Sequence, residues 1–179
     1  IPYGKHYLDE EDIQAVVDVL RNGWLTQGPK IKELEDEVAA YVGSKYAIAV
    51  SSGTAALHLA CLALDITTDS KVVTSTNTFV ASANCIKYVD ATPVFCDINP
   101  MTLNIDVNCF KQLLESDIEI DAVIPVHFGG SPCDMDAIYQ LSHKKGVKII
   151  EDASHAIGAS YDGGKIGSCK YSDITVFSF

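Results

Sequence analysis

Six short apolar runs separated by stretches of helical character set the strongest limit on what this chain can fold into. The runs cover residues 46–51, 71–74, 93–97, 122–126, 148–151 and 174–177, and each reads as a strand. Between them, Ile31, Leu34, Val38 and Tyr41 recur at helical spacing and stop at Gly43. The stretch TAALHLACLAL after Gly53 is apolar nearly all round, which predicts a buried helix. Residues 134–145 open with acids and close with Lys144 and Lys145, matching a helix dipole at both ends. Near-continuous apolar strands interleaved with helices predict an α/β fold, a mostly parallel sheet with helices on both faces.

Composition narrows the function classes. At 179 residues and 47% apolar content, the chain can bury a substantial core, and one domain is expected. A net charge of −11 repels phosphate backbones, so neither nucleic acid nor an anionic membrane is an expected partner. No apolar run approaches the roughly 20 residues that span a bilayer, and IPYGKHYLDE is too polar for a secretory leader. Six cysteines form no C-x-x-C pair, and Cys61 lies inside an apolar run. A soluble, cytoplasmic protein with reduced thiols and no metal site is expected. Because the chain stops at ITVFSF, a buried strand, it is expected to be part of a longer polypeptide.

In sheets of this type, ligands gather beyond the carboxyl ends of the strands. The first run leads through Ser51 and Ser52 into Gly53, Thr54 and the apolar helix. Free backbone N–H groups, a glycine and two hydroxyls there could seat an anion, or could equally be an ordinary helix cap. The second leads to Phe79, either a ring offered to a ligand or a core aromatic. The fourth ends at His127, read as a satisfied structural histidine. The fifth, KIIEDASHAIG, ends in Glu151 and Asp152, whose side chains must point to opposite faces. A buried carboxylate at a strand end is costly without a cation or strong donors. The sixth offers Ser178. A phosphate seat at Gly53 and Thr54, a ring at Phe79, an acid at Asp152 and a hydroxyl at Ser178 suit one ligand class. Phosphorylated pyridines fit, and pyridoxal 5′-phosphate (PLP) is the one whose chemistry needs an acid at its ring nitrogen.

The motifs GWLTQGPKIKELE, SSGTAALHLA, NTFVASAN, PVFCDI, IIEDASHAIGA and DITVFSF together resemble the DegT/StrS family of PLP-dependent nucleotide-sugar aminotransferases over essentially the whole chain. Within it, IPYGKHYLDEEDI, WLTQGPK, ANC and CKYSDITVFSF are most similar to the PseC group of the pseudaminic-acid pathway, although SSGTAAL and HFGG depart from that group's pattern. The resemblance implies the large domain of a fold type I aminotransferase, cut before its small domain. Residues 1–30 would form an N-terminal helix and active-site loop, and residues 31–179 an incomplete PLP-binding domain.

It further implies that Gly53, Thr54 and Ser178 hold the cofactor phosphate, that Phe79 stacks on the ring and that Asp152 pairs with its nitrogen. His155 would lie near the ring and its phenolic oxygen, and Glu151 would serve structure. Trp24, Leu25 and Gln27 resemble residues that reach toward the substrate, with a plain surface loop as the competing reading. The Schiff-base lysine would lie just beyond Phe179; Lys148, Lys165 and Lys170 do not look like it. The implied reaction moves an amino group from glutamate to the C4 keto group of a UDP-linked 4-keto-6-deoxy sugar. In it the cofactor alternates between PLP and pyridoxamine phosphate (PMP) in a homodimer, serving surface-glycan sugar biosynthesis. Two other readings stay open: a PLP-dependent nucleotide-sugar dehydratase of the same family, and a nucleotide-binding α/β domain without PLP. The absence of a glycine-rich dinucleotide fingerprint weighs against the second.

Overall fold

A computed structural model describes residues 6–179; residues 1–5, which open the IPYGKHYLDEEDI stretch, lie outside the described residues. In chain order come α1 (Glu10–Asn22), α2 (Pro29–Val42), α3 (Gly53–Ala63), β1 (Lys71–Ser75), α4 (Ala81–Tyr88) and β2 (Thr92–Cys96). Then follow α5 (Val107–Glu115), β3 (Ala122–Ile124), α6 (Met135–Lys145), β4 (Lys148–Asp152), a hairpin of β5 (Ser160–Tyr161) and β6 (Gly164–Lys165), and β7 (Ile174–Val176). Five strands pair in the order β2-β1-β3-β4-β7, every pair parallel.

Both faces of the sheet are covered, as the apolar strands predict. On one face Val72, Ile124 and Ile150 pack against Leu57 and Ala60 of α3 and Cys85 and Ile86 of α4. On the other, Val73, Val123 and Ile149 meet Phe110 and Leu114 of α5 and Met135 and Ile138 of α6. The period-2 alternation along β1, β3 and β4 sorts these residues to their faces. β3 stops at Ile124 because Pro125 has no N–H to continue the ladder; pairing resumes as an isolated bridge between Val126 and Asp152.

Three expectations need correction. The run at 46–51 joins no strand among the described residues. It has no regular secondary structure, and Tyr46, Ile48 and Val50 are exposed. Alternating apolar residues specify an extended backbone, but a ladder also needs a neighbour, and none of the described strands lies beside this one. α3 is not buried all round: Leu57, Ala60 and Cys61 face the sheet while Leu59 and Leu62 are exposed, because only one side of the helix meets β-structure. α2 does end at Gly43, which adopts the left-handed conformation of a helix stop, yet Ile31, Leu34 and Tyr41 of its apolar stripe are exposed and only Val42 is buried.

Candidate functional site

Strand order reverses between β1 and β3, since the chain places β2 on one side of β1 and β3 and β4 on the other. Such a switch point opens a crevice at the carboxyl edge of a parallel sheet. Here it holds a cavity of about 420 Å³, lined among others by Gly53, Thr54, Phe79, Asp152, His155 and Ser178. Residues from five separate stretches of chain thus meet at one place.

Asp152, the last residue of β4, is the buried acid of the site. Its backbone N–H donates to the Pro125 carbonyl at 2.9 Å and its own carbonyl accepts from the His127 N–H at 3.0 Å. The main chain is therefore bonded on both sides of the residue. Its Oδ1 accepts from the Ser154 hydroxyl at 2.6 Å and the Ser154 N–H at 3.2 Å, and its Oδ2 accepts from the Ser82 hydroxyl at 2.6 Å. All these donors are neutral; among the described residues no cation pairs with this carboxylate. A carboxylate 5% exposed, held by neutral donors and facing a cavity, is suited to a positive group entering from that cavity.

In the same lining, Ser52 caps α3 by accepting from the Ala55 N–H at 3.1 Å, so its hydroxyl belongs to the helix. The Gly53 and Thr54 N–H groups come first in the helix and have no intrahelical acceptor. Ser178 closes this seat. A Cβ on Gly53 would stand 3.0 Å from both Ser178 Oγ and its Cβ, so only glycine leaves the hydroxyl and the helix start side by side.

Phe79 precedes α4 and is 71% exposed, which excludes the core-aromatic reading and leaves its ring free at the rim. His155 follows β4 on the surface, with its ring 6.4 Å from that of Phe128 and nearly perpendicular to it. Gly130, at φ +83°, lies so close behind it that a Cβ would come 2.8 Å from the His155 carbonyl. The HFGG run therefore backs the histidine.

Glu151 faces away from the cavity, as strand alternation requires. His127 Nδ1 accepts from the Cys133 N–H at 3.0 Å, which assigns the ring proton to Nε2, and that group donates to Glu151 Oε2 at 2.8 Å. Ser172 and Thr175 hydroxyls donate to Oε1 at 2.5 and 3.1 Å. Burial first, and then the Glu151 charge, push the nearby Cys133 thiol well above its ordinary range. Glu151 and His127 are thus bonded to each other and to neighbours outside the cavity lining, in keeping with the structural reading of both.

Trp24, Leu25 and Gln27 are not brought to the cavity. Their loop joins α1 to α2, and Trp24 and Leu25 are 78% and 68% exposed, in keeping with the surface-loop reading. No lysine lines the cavity among the described residues: Lys165 lies over the Tyr41 ring, Lys170 pairs with Asp162 and Lys148 approaches Asp173. Nor do the described residues hold a cluster of His, Cys, Asp and Glu fit for a metal, or a helix long and apolar enough to cross a membrane. Sequence reasoning missed Ser82, Ser154 and Phe128; the hydroxyls in ASAN and DASH were the available signal, but nothing in the sequence places them beside the Asp152 carboxylate.

Comparison with known proteins adds independent evidence. The sequence model of the DegT/DnrJ/EryC1/StrS aminotransferase family matches residues 6–179. The chain is 46% identical over 179 residues to the spore coat polysaccharide biosynthesis protein SpsC of Bacillus subtilis, covering all of this chain and 45% of that protein. It is 41% identical over 175 residues to the UDP-4-amino-4-deoxy-L-arabinose–oxoglutarate aminotransferase of Shewanella sediminis, covering 96% of this chain and 45% of that one. Among solved structures, the PLP form of Spr1654 from Streptococcus pneumoniae superposes with a TM-score of 0.92 at 34% identity, over 100% of this chain and 48% of the other. PseC of Helicobacter pylori, an aminotransferase involved in pseudaminic acid biosynthesis, does so at 0.90 and 30%, over 99% and 47%. The chain spans about half the length of the curated relatives it matches.

Proposed function

Because this chain belongs to the DegT/DnrJ/EryC1/StrS aminotransferase family, we propose that the full-length protein is a PLP-dependent nucleotide-sugar aminotransferase. In this reading it moves an amino group from glutamate to the C4 keto group of a UDP-linked 4-keto-6-deoxy sugar for surface-glycan synthesis. The carrying observation is the buried Asp152 carboxylate, unpaired with any cation among the described residues, in a cavity that Gly53, Thr54 and Ser178 also line.

The residues present fit the cofactor. Asp152 supplies the charge that a protonated pyridine nitrogen needs, and the seat at Gly53, too close to Ser178 for a side chain, suits a phosphate. Bound there, PLP supplies an electron sink for breaking bonds at the amino carbon. This chain's part would be to hold it: Gly53, Thr54 and Ser178 would orient the phosphate, Phe79 would stack on the ring and exclude water, Asp152 would keep a proton on the ring nitrogen, and His155 would stand at the rim near the ring. Neighbouring structures with PLP and PMP support the cofactor. The name of the Shewanella relative pairs a UDP-linked 4-amino sugar with oxoglutarate, the keto form of glutamate, and that of SpsC points to a surface polysaccharide. The likeness to PseC, at 30% identity, supports an aminotransferase of sugar biosynthesis. A homodimer, and a division into a helix-and-loop segment at 1–30 and a PLP-binding domain from 31, belong to the same proposal.

The test is borohydride reduction of the full-length protein with PLP, followed by peptide mass mapping. A pyridoxyl group on a lysine shortly after Ser178 is the expected result. Bound cofactor with no lysyl adduct would move the assignment to a dehydratase, and no bound cofactor would overturn the site.

A further inference from the structure

Ser82 lies on the sheet-facing side of α4 among Ala81, Cys85 and Ile86, and it is fully buried. A hydroxyl in an apolar helix face costs stability unless it is bonded, and serine is a weaker helix former than alanine. Its two partners are the Asp152 Oδ2, at 2.6 Å, and the Thr78 Oγ1, also at 2.6 Å. An ionised carboxylate only accepts, so the single Ser82 proton goes to Asp152, and the Ser82 oxygen, at 2.6 Å, is the nearer of two acceptors for the Thr78 proton, the other being the Phe79 carbonyl at 3.2 Å. A directed chain of hydroxyls, Thr78 to Ser82 to Asp152, therefore ends on the acid of the cavity.

Ser82 and Asp152 are 70 positions apart in the chain. Ser82 does not line the cavity, whereas Asp152, Ser154 and Thr78 do. The carboxylate is thus held from two sides: Ser154 on Oδ1 at the cavity wall and Ser82 on Oδ2 from behind. Carboxylate torsions are broad and soft, so the backbone bonds on either side of Asp152 do not by themselves fix the plane of its oxygens. The Ser82 N–H also donates to the Phe79 carbonyl at 3.1 Å. One helix start therefore carries both the ring at the rim and the group that turns the acid.

We propose that Ser82 is a positioning residue that sets the orientation of the Asp152 carboxylate toward the cofactor ring nitrogen, acting only through Asp152. The inference rests on the PLP-site reading above. Without the Ser82 hydroxyl, Asp152 keeps Ser154 alone and can swing its oxygens away from the ring.

The experiment uses the full-length protein with PLP carrying a nitrogen-15 label in its ring. Cofactor affinity is read by equilibrium dialysis, ring protonation by the nitrogen-15 shift, and folding of the cofactor-free protein by its thermal midpoint. Ser82→Ala is expected to weaken PLP binding roughly tenfold, the scale of one hydrogen bond to a charged group, and to move the shift toward that of an unprotonated ring. Ser82→Thr, which keeps the hydroxyl, is expected to hold both near the parent values. Thr78→Val, which removes the donor to Ser82, is expected to move both in the same direction by less. Parental affinity and shift in a folded Ser82→Ala protein would overturn the role of Ser82. If that variant does not fold, parental values in Thr78→Val would do so instead. Asp152→Asn separates the two levels. If it weakens binding while Ser82→Ala does not, only the role of Ser82 falls; if Asp152→Asn itself binds PLP like the parent, the site reading falls and the inference with it.

Discussion

Two adjacent carboxylates at the end of β4 meet opposite fates. Glu151 is enclosed by three donors, from His127, Ser172 and Thr175, all on the α5 and α6 side of the sheet, and nothing about it calls for a ligand. Asp152 is equally buried, yet its donors come from Ser82 and Ser154 and one side of it opens on the cavity. Burial alone does not distinguish a functional acid from a structural one. What distinguishes them is whether the protein's own donors close the shell around the charge.

That contrast can be broken in four ways. The largest effect is expected for Asp152→Asn in the full-length protein: aminotransferase turnover should fall on the order of 10²–10³-fold, the scale of removing one preorganised charge, while the thermal midpoint barely moves. A sharp loss of stability with retained turnover would reverse the roles assigned to the two acids. Next, Glu151→Ala strands the buried His127 and two part-buried hydroxyls and should cost about 3 kcal/mol in denaturant unfolding, with turnover per folded molecule little changed. Gly53→Ala pushes a methyl against Ser178 and should weaken PLP binding roughly tenfold, about 1.4 kcal/mol, without altering the sugar KM in saturating cofactor. The smallest effect concerns Cys133. Its raised pKa favours the neutral thiol in the folded state, a contribution present below the ordinary thiol range and lost only as pH climbs above it. Between pH 7 and 9, mass spectrometry should find alkylation at the half-buried Cys109 and Cys169 well before Cys133, and early labelling of Cys133 would show that the Glu151 side is more open than described.

Much of this was legible in the sequence because strand and helix periods are local. Lys148 to Asp152 alternate faces by geometry alone, so the separation of Glu151 from Asp152 follows from five letters. Gly53, Thr54, Phe79, Asp152 and Ser178 were legible as a group because the carboxyl-edge rule gathers strand ends wherever the strands fall in the sheet, whereas His155 came from the family resemblance. Other features depend on neighbours distant in the chain. The run at 46–51 has the pattern of a strand, but whether it pairs is decided by what lies beside it. Leu59 and Leu62 have the letters of a buried helix, but one side of α3 has nothing covering it among the described residues. Ser82 was invisible for the same reason: a serine in a helix gives no sign of which carboxylate it will meet.

The close approach of Gly53 and Ser178 joins the start of α3 to the residues just after β7, far apart in the chain. Such long-range closures come late in folding, because loop entropy must be lost before the contact rewards it. The Gly53 seat is therefore complete only once β7 has docked beside β4. A ligand held there would not template the early steps of folding at this wall, and its capture in a refolding experiment would time the arrival of β7 rather than the collapse of the core.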